Sequence, residues 1–259
     1  MGRVFALSDL HGQRALWEQI KEYLEPDDKL FFLGDAIDRG PDGFAIMKEL
    51  LTDKRVTYLK GNHEVLMEDA LQEIRKYEDL GEMFTLWLQN GCYPTYEAWL
   101  NNGMNFGWIH ILHNLPTKYT YVNTKGEEVC LSHAGFTPGS QAVSDFDLIW
   151  NRKHFFDSIP KEYQDCHEII VHGHTPTVFL MEDFDKVNQL AAWNKQNGER
   201  GNTYYFQERE GAVIYGDGCK VCIDCGCFAT GHTILLNLDT WEVIPFDADI
   251  EDGEEDINE

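Results

Sequence analysis

The chain has 259 residues, 43% of them hydrophobic and 25% charged, which fits a soluble globular protein with a substantial core of its own. Its net charge of −24 argues against nonspecific binding to nucleic acid or to an anionic membrane, whose phosphates it would repel. No apolar run approaches the ~20 residues that a membrane span needs.

At the start, MGRVFALSDLHGQ holds a short apolar stretch that runs straight into polar residues, a poor pattern for a signal peptide. Ala6 stands where a myristoylation site would want a small hydroxyl residue. A cytoplasmic protein is expected. RVFALS reads as a strand ending at SDLHG, and Leu16, Ile20, Tyr23 and Leu24 then recur at helical spacing. KLFFLGDAIDRGPDG follows, then a helix carrying Phe44, Met47, Leu50 and Leu51, then the strand VTYL running into KGNHE. Strand, helix, strand, helix, strand is the pattern of βαβ units and a parallel sheet. Ligands of open α/β sheets bind beyond the carboxyl ends of the strands, so the polar clusters at these ends are expected to meet at one edge.

From Glu64 to about Thr117 the pattern is mostly helical, an insertion within a single domain of residues 1–246. EEVCLSHAG and EIIVHGHTP are further strands, ending at His133 and at His172 and His174. Glu182 to Gly218 is rich in Asn, Gln, Gly and charge and reads as a long loop or lid. VCID, HTILLNL and WEVIPF are closing strands. The segment 247–259 holds eight Asp or Glu and no Lys or Arg, and is expected to be a solvated, disordered tail.

Seven cysteines, an odd number without a secretion signal, point to reduced thiols. Cys219, Cys222, Cys225 and Cys227 in CKVCIDCGC could hold zinc or an iron–sulfur cluster. A zinc ribbon wants two separated pairs, however, and these four crowd into one apolar stretch. Small buried hydrophobes are the better reading.

The strand ends offer a more coherent set. Asp9 and His11 lie two apart, on one side of an extended backbone. Asp35 and Asp38 sit in GDAIDRG with Arg39 behind them, Asn62 and His63 close the third strand, and His133 and His174 end two later ones. Carboxylate, imidazole and amide oxygen together suit Mn, Fe or Zn far better than Ca. Two such ions ~3.5–4 Å apart form the clamp used in phosphoryl displacement. Read one at a time, these residues are weaker: Asp-Arg-Gly is usually a turn, and His110 and His113 are best taken as ordinary helix-face residues.

Together, SDLHG, GDAIDRG, KGNHE, LSHAG and VHGHTP resemble the phosphoprotein phosphatase family of calcineurin-like metallophosphoesterases, over residues 3 to about 177. VCIDCGCFATGHTILLNLD is similar to its closing strands. The resemblance implies an α/β fold, a β-sandwich of two mixed sheets flanked by helices, with a dinuclear metal centre at the sheet edge. It assigns one metal to Asp9, His11 and Asp35, and the second to Asp35, Asn62, His133 and His174, with Asp35 bridging. His63 matches the family's general acid, and Asp38 would hold its tautomer and raise its pKa. Glu64 would be structural, at the start of a helix. Arg39 and Arg152 match arginines that grip phosphate, with Asn62 as a further phosphate contact, and His172 is taken as a buried neighbour of the ligand His174.

Pro176 stands where many broader metallophosphoesterases place a further histidine, Lys60 stands where eukaryotic phosphoprotein phosphatases carry Arg, and the eukaryotic SAPNY segment is missing. The chain therefore resembles the bacterial and phage members. The reaction implied is hydrolysis of phosphomonoesters by direct attack of a metal-bridging water, on serine or threonine (also tyrosine) phosphoproteins or on a small phosphate ester. Diadenosine tetraphosphate is the alternative substrate, and a noncatalytic phosphate-binding scaffold is disfavoured because no ligand or acid is missing. Manganese is the expected metal, with iron or zinc also compatible.

Overall fold

In the computed structural model, described over residues 2–140, 142–155, 168–178, 207–209, 211–216 and 218–248, the first half of the chain alternates as its sequence suggests. β1 (Val4–Leu7), α1 (Arg14–Tyr23), β2 (Lys29–Phe32), α2 (Gly43–Thr52) and β3 (Val56–Tyr58) form two crossover units with parallel strands. Four helices follow: α3 (Asn62–Tyr77), α4 (Glu82–Gln89), α5 (Tyr93–Asn101) and α6 (Gly107–His113). Then come β4 (Lys118–Val122), β5 (Glu128–Ser132), α7 (Asp145–Trp150) and β6 (Glu168–His172). The last elements are β7 (Gln207–Arg209), β8 (Ala212–Tyr215), β9 (Lys220–Cys222), the short helix α8 (Cys227–Thr230), β10 (His232–Asn237) and β11 (Val243–Asp247).

These strands make two mixed sheets, ordered β11-β10-β1-β2-β3 and β4-β5-β6-β9-β8-β7. Side chains alternate across a strand, and the packing follows that period. Val4 and Ala6 of β1, Phe31 of β2, Val129 and Leu131 of β5, and Ile169 and Val171 of β6 pack between the sheets. Their neighbours Phe5, Leu7, Leu30 and Phe32 face outward onto α1, α2 and the helical segment, against Trp17, Met47 and Trp87. Cys130 and Ile170 turn away from the sandwich toward Leu148 and Ile149 of α7. With both faces covered, a parallel strand reads as a continuous apolar run, which is why RVFALS and KLFFL were legible. Each fully buried Leu, Ile or Phe contributes about 1.5–3 kcal/mol.

Three features depart from the sequence reading. β4 was not expected, because most of its residues are exposed; Tyr119 and Tyr121 pack on Phe31 with ring centroids 4.7 and 6.0 Å away. The stretch read as a long loop to Gly218 contains β7 and β8, with β8 antiparallel to both β7 and β9; residues 182–206, and 249–259 of the acidic tail, lie outside the described residues. Cys219 is disulfide-bonded, whereas Cys92, Cys130, Cys222, Cys225 and Cys227 are thiols, so reduced cysteines throughout is corrected. A cysteine count carries no information about which sulfurs the fold brings within bonding reach. Among the described residues no helix is long and apolar enough to cross a membrane.

α1 is tied to α2 through Glu49, whose carboxylate receives Arg14 Nη1 at 2.6 Å, Lys21 Nζ at 2.7 Å and Trp17 Nε1 at 2.8 Å. Partial burial opposes its ionisation, but the hydrogen bonds from Lys21, Arg14 and Trp17 prevail and hold its pKa at about 2. A carboxylate held low in the folded state adds stability above its unfolded pKa, and that contribution is lost as pH falls toward the folded value. We predict that Glu49→Gln costs about 0.5–1 kcal/mol at pH 7, a figure reduced for solvent screening of this partly exposed group. The difference should vanish toward pH 2, as measured by urea unfolding at both pH values.

Candidate metal centre

The carboxyl ends of β1, β2, β3, β5 and β6 deliver Asp9, His11, Asp35, Asn62, His63, His133 and His174 to one edge of the sandwich, all of them buried. The backbone is unusual there. Of the nine described non-glycine residues with positive φ, six are Asp9, His11, Asp35, Asp38, Arg39 and His174, with φ between 42° and 70°. A left-handed residue costs about 1–2 kcal/mol unless it is Gly, Asn or Asp. The surrounding structure must therefore impose these turns, and backbone hydrogen bonds between strand ends do so: Asp9 N–H donates to Gly34 O, His11 N–H to Asp35 O and Gly12 N–H to Ala36 O, each at 3.0 Å.

Asp35 also takes the place of a helix cap. Its Oδ1 accepts the His63 N–H at 3.0 Å, satisfying one of the unpaired donors at the start of α3. The cap residue itself, Gly61, has no side chain, and a Cβ there would lie 2.2 Å from Asp35 Oδ1. Glu64 completes the joint. Its two oxygens accept from Gly61 N and Asp35 N at 2.9 Å, Ala36 N at 3.1 Å and Tyr58 OH at 2.7 Å. Glu64 thus does more than open a helix: it fastens the β2 and β3 ends to each other, which its position in KGNHE did not reveal.

The imidazoles are oriented by carbonyls. His11 Nδ1 donates to Ile37 O at 2.9 Å and His133 Nδ1 to Leu33 O at 2.8 Å, which turns each Nε2 inward, where its deprotonated form offers a lone pair. His133 Nε2 stands 2.8 Å from Asn62 Oδ1, 3.2 Å from His174 Nδ1 and 3.4 Å from Asp35 Oδ2. His174 Nδ1 is also 2.8 Å from Asn62 Oδ1. On the other side, His11 Nε2 lies 3.7 Å from Asp35 Oδ2 and 4.0 Å from Asp9 Oδ1. Acceptors converge here with few protons to share, and cations resolve such an arrangement. Asp35, His133 and His174 form one group able to hold an ion, and His11 and Asp35 belong to another. The donor set fits two metal ions.

His63 also falls in the group with His11 and Asp35. Its Nδ1 is taken by Asp38 Oδ2 at 2.7 Å, and its Nε2 is 3.3 Å from Arg39 Nη2. A guanidinium that close disfavours a second cation on the same nitrogen. Arg39 is exposed at the mouth, and Arg152 Nη2 donates to His174 O at 3.2 Å from the opposite side. All the residues expected at the site are therefore brought together.

Among the described residues, Cys219, Cys222, Cys225 and Cys227 belong to none of the side-chain groups able to hold an ion. Instead, Cys227 Sγ donates to Asp9 O at 2.9 Å and Cys222 Sγ to Thr175 O at 3.3 Å, bracing two of the ligand loops from behind. His172 is fully buried, with Nε2 2.6 Å from Tyr215 OH. His113 binds Glu68 and His110 lies against Asn114. Lys60 is buried against Glu68 at 3.0 Å.

The profile of the family described as Calcineurin-like phosphoesterase matches residues 2–223. The chain belongs to this family. It is a metallophosphoesterase, a hydrolase of phosphate esters. It is 34% identical over 91 residues to serine/threonine-protein phosphatase 1 of Salmonella typhimurium, a match covering 34% of this chain and only 38% of that protein. It is 26% identical over 184 residues to serine/threonine-protein phosphatase 2 of Escherichia coli, covering 66% of this chain and 78% of that one. Among solved structures, a putative diadenosine tetraphosphatase superposes with a TM-score of 0.54 at 17% identity, over 95% of this chain and 94% of that one. A cold-active protein tyrosine phosphatase gives 0.50 at 15% identity, over 95% and 76%. At these identities the structural likeness shows the fold alone.

Burial opposes a charge on His133, yet the carboxylates of Asp35 and Asp9 outweigh it and push its pKa up to about 10. A metal ligand must be deprotonated, so binding at neutral pH should release about one proton from this group. We predict that Mn titrations in buffers of different ionisation enthalpy will report that proton, and that apparent affinity will fall as pH is lowered. Asp35→Asn should abolish stoichiometric binding of two ions, as measured by elemental analysis after dialysis.

Proposed function

We propose that this chain is a phosphoprotein phosphatase, removing phosphate from serine or threonine, and within the same reading from tyrosine. The observation that carries the proposal is the His63–Asp38 pair, its Nε2 3.9 Å from Asp35 Oδ2 in the ligand cluster and 3.3 Å from the Arg39 guanidinium. The printed names of the two bacterial relatives support the substrate class.

When bound, two ions would supply Lewis-acid polarisation of the phosphoryl group and of a water nucleophile. Asp9, His11 and Asp35 would hold one, and Asp35, Asn62, His133 and His174 the other; the O/N donors suit Mn, with Fe or Zn as alternatives. Arg39 and Arg152 would grip the phosphoryl oxygens and meet the charge that grows on them. Asn62, beside the acid, would add a contact to a phosphoryl oxygen. His63 would pass its Nε2 proton to the leaving oxygen as the P–O bond breaks. Asp38 fixes Nδ1–H, so the transferable proton is on the nitrogen that faces the substrate. Burial and the nearby Arg39 work against a charge on His63, but Asp35 and Asp38 outweigh them and raise its pKa above the ordinary value, the direction an acid needs. With −24 charges overall, nucleic acid is a poor partner, and a cytoplasmic setting is part of the same reading.

With Mn loaded, we predict a higher kcat/KM on phosphoserine and phosphothreonine peptides than on diadenosine tetraphosphate; the reverse order would replace this reading with dinucleotide hydrolysis. His63→Asn should lose about 100-fold or more on a phosphoserine peptide but about 10-fold or less on p-nitrophenyl phosphate, whose leaving group hardly needs a proton. Equal losses would remove His63 from the role of acid.

A further inference from the structure

The stretch WLQNGCYPT, Trp87 to Thr95, has no part in the metal centre, yet it touches the dipeptide Asp38–Arg39 three times. Trp87 Nε1 donates to Asp38 Oδ2 at 2.7 Å. Asp38 N–H donates to Thr95 Oγ1 at 2.9 Å. Arg39 N–H donates to Gly91 O at 2.8 Å. Asp38 and Arg39 are both left-handed, with φ of 70° and 65°, and neither is a glycine. The corner between α4 and α5 therefore clamps the strained dipeptide that carries both the partner of His63 and a phosphate-facing guanidinium.

Within this clamp the Trp87 contact is distinctive because it falls on the same oxygen that His63 uses. Asp38 Oδ2 accepts from Trp87 Nε1 and His63 Nδ1, each at 2.7 Å. Asp38 and Trp87 are 0% exposed, so no solvent stands ready to replace a lost donor. Two donors on one oxygen fix the rotation of the carboxylate, and the carboxylate fixes the plane of the imidazole. Phe84 and Tyr96 meet the indole edge-on, with ring centroids 6.3 Å away, which limits its own freedom.

We propose that Trp87 is a positioning residue for proton transfer to the leaving group: its indole N–H locks the Asp38 carboxylate, and through it aims His63 Nε2 at the leaving oxygen. The inference rests on the assignment of His63 as the acid. It makes the helical segment part of the catalytic apparatus rather than a cover over the sheet.

The test compares Trp87→Phe and His63→Asn in the Mn-loaded full chain on a phosphoserine peptide and on p-nitrophenyl phosphate. Trp87→Phe should lower kcat about 10-fold on the peptide and less than about 2-fold on the nitrophenyl ester, with KM and metal content unchanged. A residue that only fills space would lower both rates together, so equal losses, or no loss, overturn the inference while leaving the His63 result intact. If His63→Asn itself shows no dependence on the leaving group, the acid assignment fails and this inference with it. Should Trp87→Phe not fold, site-specific benzothienylalanine at position 87, which keeps the ring shape and replaces N–H by sulfur, makes the same comparison with the same readings.

Discussion

Asp35 has three imidazole nitrogens, from His133, His11 and His63, at 3.4, 3.7 and 3.9 Å from its Oδ2, while its Oδ1 caps helix α3. One buried carboxylate thus joins a helix cap to the candidate metal cluster. Burial raises the cost of its charge, but the histidines around it outweigh that cost and hold its pKa well below the ordinary carboxylate range. An ionised carboxylate in so enclosed a place is tolerable only with positive charge or hydrogen-bond donors on every side. The arrangement of the strand ends follows from that demand.

Those strand ends are bent in ways that most residues resist, and the structure compensates with dense backbone pairing. Gly173 illustrates the tightness, since a Cβ there would lie 2.1 Å from Asp9 Oδ2. Behind the ligands the supports are unlike one another: the Glu64 carboxylate, the Leu33 and Ile37 carbonyls, the Cys222 and Cys227 thiols, and the Trp87 indole. Each fixes a rotamer or a tautomer, and together they keep the donors aimed at common points without a rigid covalent frame.

The chain as a whole is acidic, yet Arg39 and Arg152 approach the cluster from two sides. A phosphate ester would therefore meet local positive charge inside a repulsive surround. Long-range repulsion of polyanions and local attraction of a single phosphoryl group are compatible, because screening confines the first to about a Debye length and burial strengthens the second.

Most of the first layer was legible in the chain: the alternation of apolar runs with helical spacing, and Asp9, His11, Asp35, Asn62, His63, His133 and His174 at the strand ends. Parallel strands buried on both faces must be continuously apolar, and Asp, His and Asn are residue types that an O/N metal site would use, so local composition alone points to both. β4 escapes a reading of the sequence because its alternating Tyr119 and Tyr121 sit among polar, exposed neighbours, and β8 because its GAVIY run sits in a polar surround. The disulfide of Cys219, the anchoring of Glu64 to the β2 end and the contact of Trp87 with Asp38 were equally hidden. The last two join residues far apart in the chain, and a hydrogen bond or a sulfur pair leaves no periodic trace in sequence. Only the tertiary structure, by closing those distances, decides which buried polar group supports which ligand.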